Sequence, residues 1–143
     1  MDFVRNRSAG YMTNWAARLF ARAIDRRLKP LGLASGHLPV FFALGNGGTM
    51  TQKALAAAAG IEQPTMAATL ARMQRDGLIR RDPDPADGRS ALVSLTPAAL
   101  DKAPAVRAAV AAVNGAALAA LDEAEQAAYL AALTKIVAAL EQA

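Results

Sequence analysis

The alternation of apolar and polar residues predicts a mostly helical chain with one short β-hairpin near its middle. Trp15, Leu19 and Ala23 share one side of the first helical segment, while Arg18, Arg22 and Arg26 share another. Short apolar runs on both sides of a loop rich in Pro, Asp and Gly indicate two strands. The predicted helices cover 11–29, 35–44, 51–59, 63–76, 97–121 and a last segment after 122, and the predicted strands cover 78–81 and 91–95.

Residues that commonly start or stop helices stand at these boundaries. Gly60 makes the turn between the third and fourth helices, and Pro64 suits the first turn of the fourth. Thr51 can cap the third helix, and Thr96 followed by Pro97 is typical of a capped helix start. Pro104 is a candidate kink in the helix that follows. Asp122 and Glu125 have the spacing of a capping box that opens the last helix, whose apolar stripe is Leu130, Leu133, Val137 and Leu140.

Two short helices that meet at a glycine, followed by a hairpin, are the pattern of a helix-turn-helix with a wing. Met66, Leu70 and Met73 form the buried stripe of the second of these helices. The opposite face has residue types that can contact DNA, namely Gln63, Thr65, Ala68, Thr69 and Arg72. Gln can pair with adenine, Thr with a base edge or phosphate, Ala with a thymine methyl, and Arg with guanine or phosphate. An ordinary solvated helix face has a similar mixture, so these residues alone leave both interpretations open.

Composition and charge add to this picture. The chain is 54% apolar, but much of that fraction is alanine, which has little side chain to bury. We therefore expect closely packed helices and a partner chain that completes a thin core. Residues 1–95 have 13 Lys and Arg against 7 Asp and Glu, a balance of +6, while residues 96–143 have 3 against 5, a balance of −2. The positive charge thus lies with the predicted DNA-binding segment, where phosphate neutralisation requires it.

Several function classes find no support in the residues. The chain has no Cys and a single His, His37, so it lacks a nucleophile–base pair and the usual zinc ligands. Asp82, Asp84 and Asp87 lie in a proline-punctuated turn, which a surface loop explains better than a metal site. We therefore expect no enzyme, cofactor or metal. An apolar run of signal-peptide or membrane-span length is also missing, and the expected location is the cytoplasm.

The order and spacing of several short segments resemble the MarR family of bacterial transcription regulators. These segments are Thr51-Gln52-Lys53-Ala54-Leu55-Ala56, Gly60-Ile61-Glu62-Gln63-Pro64-Thr65, Asp76-Gly77-Leu78-Ile79-Arg80-Arg81, Asp87-Gly88-Arg89 and Leu92-Val93-Ser94-Leu95-Thr96. The second segment is most similar to the SlyA-like branch. The resemblance covers essentially the whole chain. It implies a mostly α (α+β) single domain over 1–143, with a winged helix-turn-helix lobe at 34–96 and dimerisation helices at 1–33 and 97–143.

The resemblance also implies roles for the wing residues. Arg89 would enter the minor groove of double-stranded DNA, and Asp87 would anchor the wing by pairing with a nearby arginine such as Arg72 or Arg81. Arg80 and Arg81 would add wing or phosphate contacts. A generic exposed turn is the alternative explanation for residues 87–89.

Two departures from the family pattern concern DNA binding. Gly88 stands where many relatives have a second arginine, and Ala68 stands where SlyA-like members often have one. Loss of a bidentate base contact costs about 1–3 kcal/mol. We therefore expect readout to depend on Gln63, Thr65 and the wing, at an operator different from those of the best-known relatives.

The family often senses small aromatic acids or phenols between the dimerisation helices and the DNA-binding lobe. The residues of this chain that would form such a site are Tyr11, Trp15, Arg18 and His37, which supply aromatic walls and cations. The alternatives are a core Trp, a surface Arg and a His that makes a local hydrogen bond.

The leading hypothesis is a ligand-responsive repressor that binds a palindromic operator as a homodimer. The alternative hypothesis is a helical dimerisation or partner-binding protein whose DNA binding has decayed and become non-specific.

Overall fold

The computed structural model describes residues 2–143, and within them the chain forms six α-helices and a three-stranded sheet. No helix in this part of the chain is long and apolar enough to cross a membrane. The elements in chain order are α1 (Ala9–Leu28), α2 (Leu38–Leu44), β1 (Met50–Thr51), α3 (Gln52–Ala59), α4 (Gln63–Arg75), β2 (Ile79–Asp84), β3 (Asp87–Leu95), α5 (Pro97–Ala117) and α6 (Glu123–Glu141). The expected mostly helical fold with a small sheet is confirmed.

Side-chain caps account for the starts of four of the six α-helices. Thr51, Thr96 and Asp122 each accept a hydrogen bond from a backbone N–H in the first turn of the helix that follows, as predicted. Ser8 caps α1 in the same way, so this helix begins two residues before the predicted start. The structure also differs from the prediction at the end of α5, which stops at Ala117 instead of continuing to 121. The helix is uninterrupted at Pro104.

The hairpin is longer than predicted. The strand order is β1-β3-β2, all antiparallel, with Arg81 opposite Val93 in the register of β2 and β3. Regular pairing continues to Pro83, which lies opposite Ala91. After a register shift Asp84 pairs with Asp87, so only two residues form the turn at 85–86. A proline is tolerated there because β2 is an edge strand. The sequence had indicated a loop over 82–89, so that interpretation was wrong. The two-residue strand β1 had not been predicted.

The hydrophobic core lies beneath α4, where α2, α3, α4, the hairpin, the end of α1 and the first part of α5 meet. The predicted stripe of α4 is confirmed, since Met66, Leu70 and Met73 are 1%, 0% and 0% exposed. This burial fixes which face of α4 points outward.

The last helix is different, because none of its residues is buried by the described chain. Its predicted stripe does not reach the core: Leu130, Val137 and Leu140 are 59%, 53% and 69% exposed. Leu19 on α1, also assigned to an apolar side, is 47% exposed. The periodicity identified apolar faces correctly, but this chain alone does not cover them.

Candidate nucleic-acid interface

Helix α4 presents a polar face on the surface of the protein. Gln63, Thr65, Ala68 and Arg72 are exposed, and Thr69 is half-buried. Within residues 2–143 the side chains of these residues have no hydrogen-bond partner, so their donors and acceptors are free for a ligand. The 13 residues of α4 make a rod about 20 Å long. An α-helix with its side chains is about 10–12 Å in diameter, so α4 fits a DNA major groove, which is about 12 Å wide.

The turn before α4 sets the direction of this rod. Gly60 ends α3 in the left-handed conformation, with φ at 64°, which a residue with a Cβ adopts only at a cost. The backbone N–H of Ile61 then donates to the carbonyl of Ala56 at 3.0 Å, so the chain reverses tightly. Helices α3 and α4 consequently contact each other across a short turn, as in a helix-turn-helix.

The hairpin after α4 has an exposed basic tip. The Arg89 side chain is 98% exposed, and its only charged contact within residues 2–143 is with Asp87 at 3.9 Å. Asp87 Oδ1 also accepts a hydrogen bond from the backbone N–H of Arg89 at 3.0 Å. The expected pairing of Asp87 with Arg72 or Arg81 was wrong. A carboxylate two residues before an N–H closes a local turn with little further ordering of the chain, so this contact forms instead of a distant ion pair.

The two arginines of β2 have different environments. Arg80 pairs with Asp82 at 3.0 Å, but both side chains are more than half exposed, so the pair adds little stability. Arg81 is half-buried, and its Nε donates to Gln74 Oε1 at 3.0 Å. Its Nη1 donates to Gln52 Oε1 at 3.4 Å. Neither glutamine was identified from the sequence, because no local spacing connects positions 52, 74 and 81.

Two of the four expected effector residues lie together on α1. The rings of Tyr11 and Trp15 are 6.5 Å apart in an edge-to-face arrangement, and the guanidinium of Arg5 lies 4.5 Å from the centre of the Trp15 ring. Arg18 is exposed one turn further along the same helix.

His37 has other neighbours, at the start of α2. Its Nδ1 accepts a hydrogen bond from the backbone N–H of Ala34 at 2.9 Å. Burial lowers the pKa of His37, the positive charge of Arg72 on α4 lowers it further, and Asp76 opposes this effect. The lowered pKa favours the neutral imidazole beside the candidate recognition helix.

A cavity of about 890 Å³ lies between α1, α5 and the start of α6. Its lining is mainly apolar, including Leu19, Phe20, Val113 and Leu121. A smaller cavity of about 550 Å³ lies between α2 and α3 beside the exposed ring of Phe42. None of the four expected effector residues lines either cavity.

Comparisons with known proteins agree with this geometry. The sequence model described as the MarR family matches residues 31–90. The uncharacterized HTH-type transcriptional regulator YwoH of Bacillus subtilis is 35% identical over 96 residues, which are 67% of this chain and 69% of YwoH.

Solved structures extend the likeness over nearly the whole chain. A probable transcriptional regulator from Pseudomonas aeruginosa is 28% identical with a TM-score of 0.82, and the match covers 92% of this chain and 98% of the other. A mutant MarR from Escherichia coli in complex with operator DNA has a TM-score of 0.85 at 20% identity, covering 95% and 99% of the two chains. At that identity the second likeness shows the fold alone.

Proposed function

This chain belongs to the MarR family of winged helix-turn-helix transcription regulators, and we propose that it is a ligand-responsive repressor that binds a palindromic operator as a homodimer. The observation that carries the proposal is the free polar face of α4 beside a hairpin whose Arg89 is 98% exposed. We also assign the chain to the SlyA-like branch on the strength of residues 60–65. In this proposal residues 34–96 bind DNA, and the helices on both sides hold two copies together.

On α4, Gln63 and Thr65 in the first turn are proposed to read base edges in the major groove. Thr69 and Arg72 follow on the same face and are proposed to contact a base edge or phosphate. Ala68 offers only a methyl group, which suits a thymine methyl and makes no hydrogen bond. The first turn therefore contributes most of the direct readout in this proposal.

On the wing, Arg89 is proposed to enter the minor groove next to the major groove that α4 occupies. An A·T-rich minor groove is narrow and has an enhanced negative potential, which attracts a guanidinium. The local turn that Asp87 closes would hold the Arg89 backbone in place while leaving its side chain free. Arg80 is exposed at the side of the hairpin and is proposed to contact phosphate.

The proposed dimer is supported by the apolar surface that one chain leaves uncovered. Helix α6 has no buried residue, although Leu130, Ile136, Val137 and Leu140 are at least 42% exposed on it. The cavity of about 890 Å³ between α1, α5 and the start of α6 is a complementary concave surface. A second copy that inserts its α6 near this cavity would cover both apolar surfaces at once. A two-fold dimer would also hold two α4 helices in successive major grooves, about 34 Å apart.

The proposed effector is a small aromatic acid or phenol. The exposed Tyr11 ring and the half-buried Trp15 ring, with Arg5 and Arg18 close by, provide aromatic surface and cations that can meet a carboxylate. His37 would join them only if the site is shared with the second subunit. Effector binding would change the separation of the two DNA-binding lobes. A coupling free energy of about 1–3 kcal/mol between effector and DNA binding would lower operator affinity about 5–150-fold.

The proposal is tested with a duplex that the wild-type protein selects from a random library, in the presence of excess non-specific competitor. We expect one palindromic sequence to be enriched and bound by two chains. Arg89→Ala removes a groove contact of about 1–3 kcal/mol from each of the two wings, so the dimer should lose about 2–6 kcal/mol and bind about 30- to 10⁴-fold more weakly. Arg107→Ala removes the same charge from an exposed position on α5 and serves as the matched control.

The alternative, a partner-binding protein with decayed DNA binding, makes the opposite prediction. In that case no sequence is enriched, and Arg89→Ala and Arg107→Ala have similar small effects that vanish at high salt. The effector proposal is tested separately with salicylate as the probe. Salicylate should raise the melting temperature of the free protein and release the selected duplex, and an absence of both effects would refute it.

A further inference from the structure

We propose that Arg81, Gln74 and Gln52 form a bridge that sets the position of the wing relative to the recognition helix. The inference rests on the proposed function, because it concerns how the DNA-binding lobe reads its operator. It assigns positioning roles to two glutamines that lie outside the exposed DNA-facing set. It also changes the role of Arg81, which the sequence suggested as a DNA contact.

The bridge joins three elements at one side chain. Arg81 lies on β2, Gln74 in the last turn of α4 and Gln52 in the first turn of α3. The guanidinium donates from Nε to Gln74 at 3.0 Å and from Nη1 to Gln52 at 3.4 Å. A guanidinium has its N–H groups in a rigid planar fork, so two acceptors fix both its position and its plane. A single arginine thereby ties the wing to both helices of the helix-turn-helix.

The location of the bridge along the hairpin gives it mechanical importance. At the base of the hairpin, Thr96 Oγ1 donates to the carbonyl of Gly77 at 2.7 Å. Arg81 is further out, paired with Val93 across the sheet. Among the side-chain hydrogen bonds of residues 2–143, those of Arg81 are the outermost that join the hairpin to the helices, and they lie at the same level as the backbone pairing of β1 with Leu92 and Val93. Only the part of the hairpin between Arg81 and Val93, which includes Arg89, lies beyond this attachment.

The choice of amide acceptors has an electrostatic consequence. The two glutamines accept two of the N–H groups of Arg81 without neutralising its charge, whereas Asp82 does neutralise Arg80. The bridge therefore orders the wing and keeps the local potential positive, as an approaching phosphate backbone requires. A carboxylate at position 74 would hold the arginine as well, but at the cost of that charge.

The inference predicts that the bridge matters for minor-groove readout by the wing and not for major-groove readout by α4. A duplex pair separates the two. Inosine·C and G·C pairs present the same major-groove groups, but only G·C adds an amine to the minor groove. We place each pair in turn at the positions beneath one of the two wings on the selected duplex and measure the ratio of the two affinities.

The wild-type protein should prefer the inosine·C flank by about tenfold, the scale of one groove contact. The single variants Gln74→Met and Gln52→Met each remove one acceptor of Arg81 at nearly constant side-chain size. In each variant the ratio of the two affinities should fall to about two- or threefold, because one hydrogen bond to the charged guanidinium is lost. Gln74→Glu retains the acceptor and should preserve the ratio even if the added negative charge lowers both affinities. Gln142→Met makes the same substitution at an exposed position at the end of α6 and should change nothing.

The outcomes are distinguishable from one another. An unchanged ratio of affinities in both methionine variants overturns the inference. If both affinities fall equally, the ratio is also unchanged, and the glutamines would be direct DNA contacts instead. A wild-type protein that binds its selected duplex without distinguishing the flanks overturns the inference and the minor-groove role proposed for Arg89, while sequence-specific DNA binding by α4 stands. In this experiment, failure of the wild-type protein to select any sequence counts against the proposed function itself. Melting temperatures of all variants within a few degrees of wild type establish that the lobe remains folded.

Discussion

The apolar face of α6 leads to a quantitative prediction for the double variant Leu130→Ala/Leu140→Ala. In a single chain these side chains are 59% and 69% exposed, so truncating them removes almost no intramolecular packing. Alanine is also a better helix former than leucine. The variant chain should therefore retain its helix content. In the proposed dimer the same side chains become buried, and the substitution removes that burial.

The size of the effect follows from the exposed fractions. Shortening Leu to Ala removes apolar surface worth about 2.4 kcal/mol on complete transfer from water, at about 0.8 kcal/mol per CH₂ group. About six-tenths of each side chain remains to be buried, so each truncation costs the dimer about 1.5 kcal/mol. Both positions occur twice in a two-fold dimer. The total is about 6 kcal/mol, which raises the dissociation constant about 10⁴-fold.

Sedimentation equilibrium over a range of protein concentrations measures this change. The wild-type protein should be dimeric and the double variant monomeric over the same range, with matching far-UV circular dichroism. Lys135→Ala, on the opposite side of α6 from the stripe, is the control and should remain dimeric. A double variant that dimerises as tightly as wild type would show that this face does not form the interface. A wild-type monomer would refute the proposed dimer altogether.

Three further predictions concern the DNA-binding lobe. Gln63→Ala and Thr65→Ala should each remove a contact of about 1–3 kcal/mol from both half-sites, so affinity for the selected duplex should fall about 30- to 10⁴-fold. Fluorescence anisotropy should also show a relaxed base preference at one position of each half-site, and unchanged binding would show that the first turn of α4 does not read bases. Gly88→Arg should steepen the dependence of log affinity on log salt by about 0.9 for each wing that gains a phosphate contact. No atom lies within 4 Å of the Cβ it would add, so the fold should tolerate it, and an unchanged slope would mean that the wing tip does not meet phosphate. Because the pKa of His37 lies below its ordinary value of 6.5 when folded, the unfolded chain binds the proton more readily. The free energy of unfolding of the wild-type protein should therefore fall as the pH drops from above 6.5 towards the folded pKa. Urea titrations should show a smaller fall for His37→Gln. An equal fall in the wild-type protein and the variant would mean that another group titrates.

Local signals were sufficient for much of the DNA-binding lobe. Thr51 and Thr96 cap helices where their position before a helical pattern predicted it. The spacing of Met66, Leu70 and Met73 predicted the buried side of α4, and therefore its outward side. Such features depend on residues within one or two turns of each other, so a linear pattern contains the information needed to predict them.

The hairpin shows where local signals were misleading. Proline and aspartate over 82–85 are typical of a loop, yet the backbone there pairs with β3 as far as Pro83. An edge strand needs only one of its two hydrogen-bonding sides, and this requirement is invisible until the strand order is known. The partner of Asp87 was also misjudged, because the sequence does not contain the distance between a hairpin tip and a helix.

By itself the sequence determined which segments are helical, where they are capped and which face of each is apolar, because all three follow from short-range periodicity and backbone hydrogen bonding. The tertiary structure alone decided what each face meets. It placed the stripe of α4 on the core and left that of α6 uncovered, and it brought Arg81 to glutamines 7 and 29 positions away. Contacts of this kind depend on how elements pack in three dimensions, and no period along the chain records that arrangement.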